Sequence, residues 1–255
     1  MKLYNQLSQW WPLMSPAREY EEEADFYRTT LQNAAAQPIA TLLELGSGGG
    51  NNASHMKQHY REMVLVDVSR GMLAESRTLN PELAHFEGDM RTVRLGRQFD
   101  AVFVHDAICY MTTESDLRKA IETAFAHCRP GGVALFCPDY ISENFRAGTE
   151  LGGEDAGTRG MRWLEWRWDP DPADSTYLVD YAYLLRDSNG STRVEHDRHV
   201  EGLFPRATWL RLFDEVGFTH KVIPFEHSDL EPGAHEVFVC VNSFAPWRLC
   251  VETNA

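Results

Sequence analysis

From residue 39 the chain alternates short apolar runs with longer amphipathic stretches. The apolar runs are Ile39 to Leu45, Met63 to Ser69, a segment from Leu83 ("LAHFEGDM"), a segment from Phe99 ("FDAVFVHDA") and one from Val133 ("VALFCPDY"). Runs of this length, rich in β-branched and aromatic residues and bounded by turn formers, predict buried strands. Between them, Asn52 to Tyr60 reads as a helix, and Ser69 is placed to cap another over Met72 to Leu79. Leu117, Ile121, Ala124 and Cys128 recur at helical spacing, and "RPGG" from Arg129 to Gly132 is expected to close that helix. Upstream, Ser15-Pro16 followed by Glu21, Glu22 and Glu23 is a helix-start pattern, with Tyr20, Ala24, Tyr27 and Leu31 on one face. Strands alternating with helices predict βαβ units and a parallel sheet.

After Tyr140 the pattern changes. Three strand-like runs lie between about Met161 and Phe204, separated by turn signals at Asp169-Pro170-Asp171-Pro172 and Asp187-Ser188-Asn189-Gly190. They predict an antiparallel insertion. A helix over Pro205 to Val216, ended by Gly217, and the runs "HKVIPFE" and "HEVFVCVN" then bring the main sheet to seven strands. No linker divides the chain. The expected organisation is one domain over 1–255: N-terminal lid and helices (1–36), a core (37–140), the antiparallel insertion (about 160–204), and a final helix and strands (205–255).

Composition narrows the function. The chain has 255 residues, 43% hydrophobic and 24% charged, as in ordinary globular proteins. Its net charge of −14 disfavours a phosphate backbone or an anionic membrane as partner. Five scattered cysteines form no CxxC pair, which predicts reduced thiols, a cytoplasmic location and no zinc site. The N-terminus has no apolar signal region, and no run approaches a membrane span.

The stretch "LLELGSGGGNNASHM" passes from a strand through a glycine cluster into a helix. Such a turn lets a ligand approach the backbone and aims amides at it. Dinucleotide sites use GxGxxG, whose last glycine would fall here on Asn51; the pattern is GxGxG instead, and no Walker Lys-Ser/Thr follows. Asp67 ends the next strand, where a carboxylate can accept both ribose hydroxyls of a nucleoside. Asp89, in "EGDM", is placed to accept from an adenine amino group, with Met90 over the ring.

With "ELGSGGG", "LVDVSRGML", "EGDMRTVRLGRQFDAVF" and "RPGGVALF", the chain from about Leu42 to Tyr140 resembles the class I S-adenosylmethionine-dependent methyltransferases. The resemblance implies a Rossmann-like, doubly wound α/β fold with a mostly parallel seven-stranded sheet and an antiparallel β insertion after strand five. It implies that Glu44, Gly46, Ser47, Gly48 and Gly50 line the methionine and ribose side of S-adenosyl-L-methionine. Asp67 would hold the ribose hydroxyls, Val68 and Met72 would flank the adenine, Asp89 and Met90 would contact it, and His105 and Asp106 would sit beneath the sulfonium. "GDMRTVRLGRQF" and the late insertion are similar to small-molecule N-methyltransferases, including those that dimethylate amino sugars.

Methyl transfer is an in-line displacement and needs alignment, a dry pocket and a deprotonated acceptor. "VHDAICYM" places His105, Asp106 and Tyr110 near the reacting methyl. His105 is read as a general base or as a strand-end packing residue; Asp106 orients the amine, accepts its proton, or bonds the cofactor's amino group. Asp139 and Tyr140 face the same crevice. Asp106 and Asp139 resemble the carboxylates of magnesium-dependent catechol-type O-methyltransferases, but Tyr140 follows Asp139 where those enzymes place asparagine, and no metal is expected. "YNQLSQWWP" resembles an aromatic lid, with Tyr4, Trp10 and Trp11 excluding water. In the insertion Trp163, Trp166, Trp168, Tyr181, Tyr183, His196 and His199 are candidate walls, of which alternation puts only half on one face. His199 is a further catalytic candidate, on the face opposite His196. The expected activity is methyl transfer to a small-molecule amine by a monomer or homodimer. O-methylation, a cyclisation or lysis that consumes the same cofactor, and a non-catalytic binding module are the alternatives.

Overall fold

The computed structural model describes residues 1–243. The fifth cysteine, Cys250, and the end of the expected last segment lie outside them. In chain order the elements are α1 (Trp11–Met14), α2 (Glu21–Ala34), β1 (Thr41–Leu45), α3 (Asn51–Met56), β2 (Glu62–Asp67), α4 (Arg70–Leu79), β3 (Ala84–Glu87), β4 (Phe99–Val104), α5 (Glu114–His127) and β5 (Cys128–Phe136). The small sheet follows as β6 (Gly148–Gly152), β7 (Asp155–Ala156), β8 (Arg159–Trp168), β9 (Thr176–Arg186) and β10 (Thr192–Gly202). The chain then returns through α6 (Arg206–Val216), β11 (Phe218–Phe225) and β12 (His235–Asn242).

The main sheet has seven strands in the order β11-β12-β5-β4-β1-β2-β3. β1 to β5 are parallel, and β12 and β11 join antiparallel to β5 and to one another. Both faces of the inner strands are covered, so β1, β2 and β4 are buried and largely apolar, whereas little of the edge strands β3 and β11 is buried. Leu43, Leu45, Val64, Val66, Val102 and Val104 pack on the side of α5 and α6. The alternate residues Leu42, Met63, Leu65, Ala101 and Phe103 pack on the side of α2 and α3. This period of two within unbroken apolar runs places helices on both sides of the sheet.

Local chemistry sets several boundaries. The Ser69 hydroxyl accepts from the Met72 amide at 3.1 Å, the expected cap of α4. Gly217 ends α6 in the left-handed region at φ 111°. "RPGG" does not stand between helix and strand as expected: α5 stops at His127 and β5 begins at Cys128. Arg129 to Gly132 form the irregular start of that strand, where the β4–β5 register shifts between Phe99 and Ala101.

The insertion is larger than the sequence pattern showed. β10-β9-β8-β6 form a second, antiparallel sheet, with β7 paired to β8. β6 and β7 are mostly exposed and polar, so they carry no alternation to read. The inner face of this sheet, Met161, Tyr177, Val179, Tyr181, Tyr183 and Leu185, packs on Leu3, Leu7, Trp10 and Leu13 of the N-terminal segment. Its outer face leaves Leu151, Leu164, Trp166, Leu184, Val194 and Val200 exposed. Trp166 and Trp168 stack there at 5.7 Å between ring centroids, on the face opposite the core.

Phe238 is fully buried, with ring centroids 5.2 Å from Trp209 and 5.6 Å from Phe213. Phe238→Ala is expected to lower stability by roughly 3–5 kcal/mol in urea unfolding, the cost of a large aromatic cavity. Val194→Ala, at a position 68% exposed, is expected to change it by under about 0.5 kcal/mol.

Candidate active site

The chain runs outward from β1 through β2 to β3, then crosses back to β4 beside β1. Open α/β sheets bind ligands at such a switch point, beyond the carboxyl ends of the strands. A cavity of about 910 Å³ lies there. Its walls come from the loops after β1, β2, β4 and β5, from α2, from the N-terminal segment and from the inner face of the small sheet.

β1 ends at Leu45, and the Gly46 and Ser47 amides both donate to the Val66 carbonyl, at 2.8 and 3.0 Å. The reversal needs left-handed backbone at Gly46 and Gly48, with φ 77° and 52°. A Cβ on Gly46 would lie 2.4 Å from the Ala107 methyl, so the turn and the loop after β4 touch only because this residue has none. Gly50 is left-handed too, at φ 75°, but its missing side chain faces Ser76 and Asn80 and it does not line the cavity. Its role is close packing of α3 against α4, a correction to its expected place at the cofactor.

Asp67 accepts from the Gly48 amide at 2.8 Å and from the Ser69 amide at 2.7 Å, one bond per carboxylate oxygen. Each oxygen keeps acceptor capacity for a hydroxyl. Val68 beside it is 66% exposed, while Met72 and Met90 line the same wall as buried residues. Asp89 also lines the cavity, but its carboxylate is chelated by Arg91, with Nη2 to Oδ2 at 2.6 Å. The Arg91 hydrogen bonds hold its pKa below the usual carboxylate range. Glu44 is 3% exposed, and burial raises its carboxyl to about 8. Its Oε2, the Ser47 hydroxyl and the Trp11 indole nitrogen are buried without partners. Buried polar atoms are normally satisfied. Here the orphans line one wall with an acceptor for paired hydroxyls and with apolar surface for a ring, a donor set that fits a nucleoside bearing a cationic tail.

Across the cavity, His105 Nε2 lies 2.9 Å from Asp106 Oδ1 and 3.0 Å from the Tyr27 hydroxyl. Burial lowers its pKa, but the carboxylates of Asp106, Glu23 and Glu44 raise it by more, to about 9. The sequence expectation of an imidazole titrating near 6.5 is therefore corrected: His105 is charged at neutral pH. Asp106 and Asp139 are hydrogen-bonded to one another. For Asp106, the contact with His105 outweighs burial and lowers the pKa. For Asp139, burial and the Asp106 charge both raise it strongly, so the shared proton resides on Asp139.

The N-terminal segment closes the top. Tyr4 and Trp11 line the cavity. The Trp11 indole lies against Gly49, where a Cβ would come within 2.4 Å of Nε1. Trp10 does not face the cavity; it is 1% exposed, lies beneath Arg159 with the guanidinium 4.2 Å above its ring, and packs on the small sheet. His199 is not in the wall either. Its side chain is fully buried, 2.9 Å from the Tyr110 hydroxyl through Nδ1 and 3.3 Å from Asp197 through Nε2. Tyr110 donates onward to the Tyr4 hydroxyl at 2.9 Å. His199 therefore meets the cavity only through Tyr110, which lines it. Asp139, Tyr140, Trp163 and Tyr181 line the cavity, whereas Tyr183 lies behind it and His196 is exposed beside Asp180.

Several lining residues had not been expected at the site: Glu23 from α2, Glu165 and Arg167 from β8, Tyr177 from β9 and Glu201 from β10. Alternation groups Trp163, Glu165 and Arg167 on one face, and likewise Asp197, His199 and Glu201. That signal was present, but which face looked into a cavity was not.

Residues 42–132 match the family model described as "Methyltransferase domain". The chain is 27% identical over 208 residues, 78% of this chain and 80% of the relative, to a dTDP-3-amino-3,6-dideoxy-alpha-D-glucopyranose N,N-dimethyltransferase of Streptomyces fradiae. It is 26% identical over 226 residues, 88% of this chain and 90% of the relative, to a dTDP-3-amino-3,4,6-trideoxy-alpha-D-glucopyranose N,N-dimethyltransferase of Streptomyces venezuelae. The crystal structure of Streptomyces venezuelae DesVI has the same fold, with a TM-score of 0.76 at 22% identity over 88% of this chain and 92% of that one. A methyltransferase-domain match over residues 42–132, carried on this strand order, supports S-adenosylmethionine-dependent methyl transfer as the activity of this chain.

Proposed function

We propose that the enzyme methylates an amine nitrogen of a small molecule, working as a single 255-residue domain in which 37–140 hold the cofactor and the insertion and lid hold the acceptor. The observation that carries it is the His105–Asp106–Asp139 cluster, set across one cavity from the glycine turn. An ionised carboxylate beside a neutral acid offers an acceptor and a donor to an amine. The two relatives' names specify N,N-dimethyl transfer to amino sugars, which supports nitrogen over oxygen.

Held at this wall, S-adenosylmethionine would supply an electrophilic methyl to an amine lone pair, its sulfur keeping the C–S electron pair. The chain's residues bind and align. Asp67 would take the ribose hydroxyls, Met72, Met90 and Val68 would flank the base, and Glu44 would face the cationic methionine end. Tyr4 and Trp11 exclude water, Asp106 orients the amine, and the proton it sheds passes to Asp106 or to neutral His105. Tyr110, held by His199, shapes the acceptor side. We place the enzyme in the cytoplasm, where thiols stay reduced: Cys109, Cys128, Cys137 and Cys240 are free and buried. Among the described residues, no helix is long and apolar enough to cross a membrane. The apolar outer face of the small sheet is the surface we assign to a homodimer.

Methyl-labelled cofactor with an amine acceptor is expected to leave the label on nitrogen in the product's mass fragments, and label on oxygen or carbon would overturn the reading. Asp67→Ala is expected to weaken cofactor binding by roughly 1–3 kcal/mol in calorimetry, the cost of unpaired hydroxyls. Unchanged affinity in the folded variant puts the ribose elsewhere.

Glu44 titrates near 8 in the free protein, and a bound cation favours its ionised form. Binding therefore releases a proton below that pH, and affinity should rise from pH 6 to 7.5. Glu44→Gln should bind more weakly and without this slope. For the rate, His105 loses its proton only near pH 9, so turnover is expected to climb toward that value. Asp106→Asn removes the charge that holds the imidazolium and should move the rising limb down by about one unit or more. A limb that stays in place assigns the ascent to the acceptor amine.

A further inference from the structure

The half of the cavity away from the glycine turn is strongly acidic. Asp139, Glu150, Glu165, Glu201 and Glu236 line it, Glu236 being paired with Arg206 at 2.6 Å. Against them stands Arg167, whose Nη1 is held 2.7 Å from both Glu150 and Glu165, with its guanidinium 5.2 Å over the Tyr140 ring. On the cofactor side Arg91 is committed to Asp89 and Asp116, at 2.6 and 2.9 Å. Among the described residues no lysine lines the cavity. Both relatives are named for dTDP-linked sugars, and such substrates bring a diphosphate, which calls for uncommitted guanidinium or ammonium donors. This cavity offers carboxylates where those donors would have to be.

The remaining walls are aromatic. Tyr140, Trp163, Tyr177 and Tyr181 present rings around the acidic groups. The Tyr181 hydroxyl donates to Glu165 at 2.9 Å, and Tyr177 donates to Glu201, so one oxygen of each carboxylate is fixed toward its aromatic neighbour. Cys109, Asp139 and Glu201 bring ligand atoms within 4.8 Å of one another at the boundary between the two halves. Carboxylates interleaved with ring faces recognise ammonium groups.

Resting on the amine-methylation reading above, we infer that the acceptor is a polycationic amine without phosphate, such as a polyamine or an aminoglycoside. One nitrogen meets the methyl donor beside Asp106, and a second, charged nitrogen is held by Glu201 and the surrounding rings, while Glu165 is already paired with Arg167 and Tyr181. Burial raises the pKa of Glu165 and of Asp139, so a bound cation relieves a strain that a phosphate would deepen.

The test uses the full chain loaded with S-adenosylhomocysteine and titrated calorimetrically with spermidine, a 2-deoxystreptamine aminoglycoside and a dTDP-linked amino sugar. At least one polycation is expected to bind about tenfold or more tightly than the dTDP sugar, with affinity falling as salt rises. Glu201→Gln should weaken that binding about tenfold while S-adenosylhomocysteine affinity holds. Preference for the dTDP sugar, or uptake of none of the three, overturns the inference. Turnover with labelled cofactor separates the two readings: N-methylation of the dTDP sugar alone refutes the polycation and leaves amine methylation standing, whereas label on oxygen or carbon refutes both.

Discussion

A reversal of the chain at the end of β1 underlies the whole site. The Gly46 and Ser47 amides turn back onto the Val66 carbonyl, and Asp67 caps the Gly48 amide from the neighbouring strand. The turn therefore ties β1 to its neighbour β2 beside the switch point and leaves the Asp67 carboxylate with acceptor capacity facing the cavity. The loop after β4 can approach only because Gly46 has no side chain, and that loop carries His105, Asp106 and Tyr110. A bulkier residue there would strain the backbone and also push the acceptor groups away from the cofactor wall.

Around that turn the protein buries more carboxyl groups than it pairs with cationic side chains. Glu44, Asp67 and Asp139 all have raised pKa values, with burial the largest cause, and His105 is held charged by its carboxylate neighbours. Holding these groups close costs stability, since buried charges repay desolvation only when paired. On the proposed function, the pairing is left to cations that arrive from outside: a cationic cofactor tail on one side, an amine on the other. The N-terminal segment seals the space. Leu3, Leu7, Trp10 and Leu13 anchor it in the small sheet's core, and Asp197 accepts from the Lys2 and Leu3 amides. Trp10 thus contributes as an anchor, which leaves Tyr4 and Trp11 free to face the cavity.

Much of this was legible in the residues. Unbroken apolar runs with a hidden period of two require a sheet covered on both faces, and the alternation with helices makes it parallel. Glycines after the first strand, Asp67 after the second and "EGDM" after the third mark one wall of the cavity because backbone conformation and strand-end position are local properties. Ser69 as cap and Gly217 as terminator are local for the same reason. The polar strands β6 and β7 were not legible, since exposed residues carry no alternation.

What the tertiary structure alone decided is which side chains meet. Gly50 looks like its neighbours in sequence but packs α3 on α4. His199 reads as a pocket histidine but sits behind Tyr110. Glu23, read as a first-turn acid of α2, faces the cavity from the other side of the sheet. The charge state of His105 depends on Asp106 beside it and on Glu23 and Glu44 brought from distant segments, and a pKa is set by the field of such neighbours. The acidic character of the acceptor half likewise arises from carboxylates on β6, β8, β10 and β12, scattered over ninety residues of chain and joined only when two sheets and a lid close on one another.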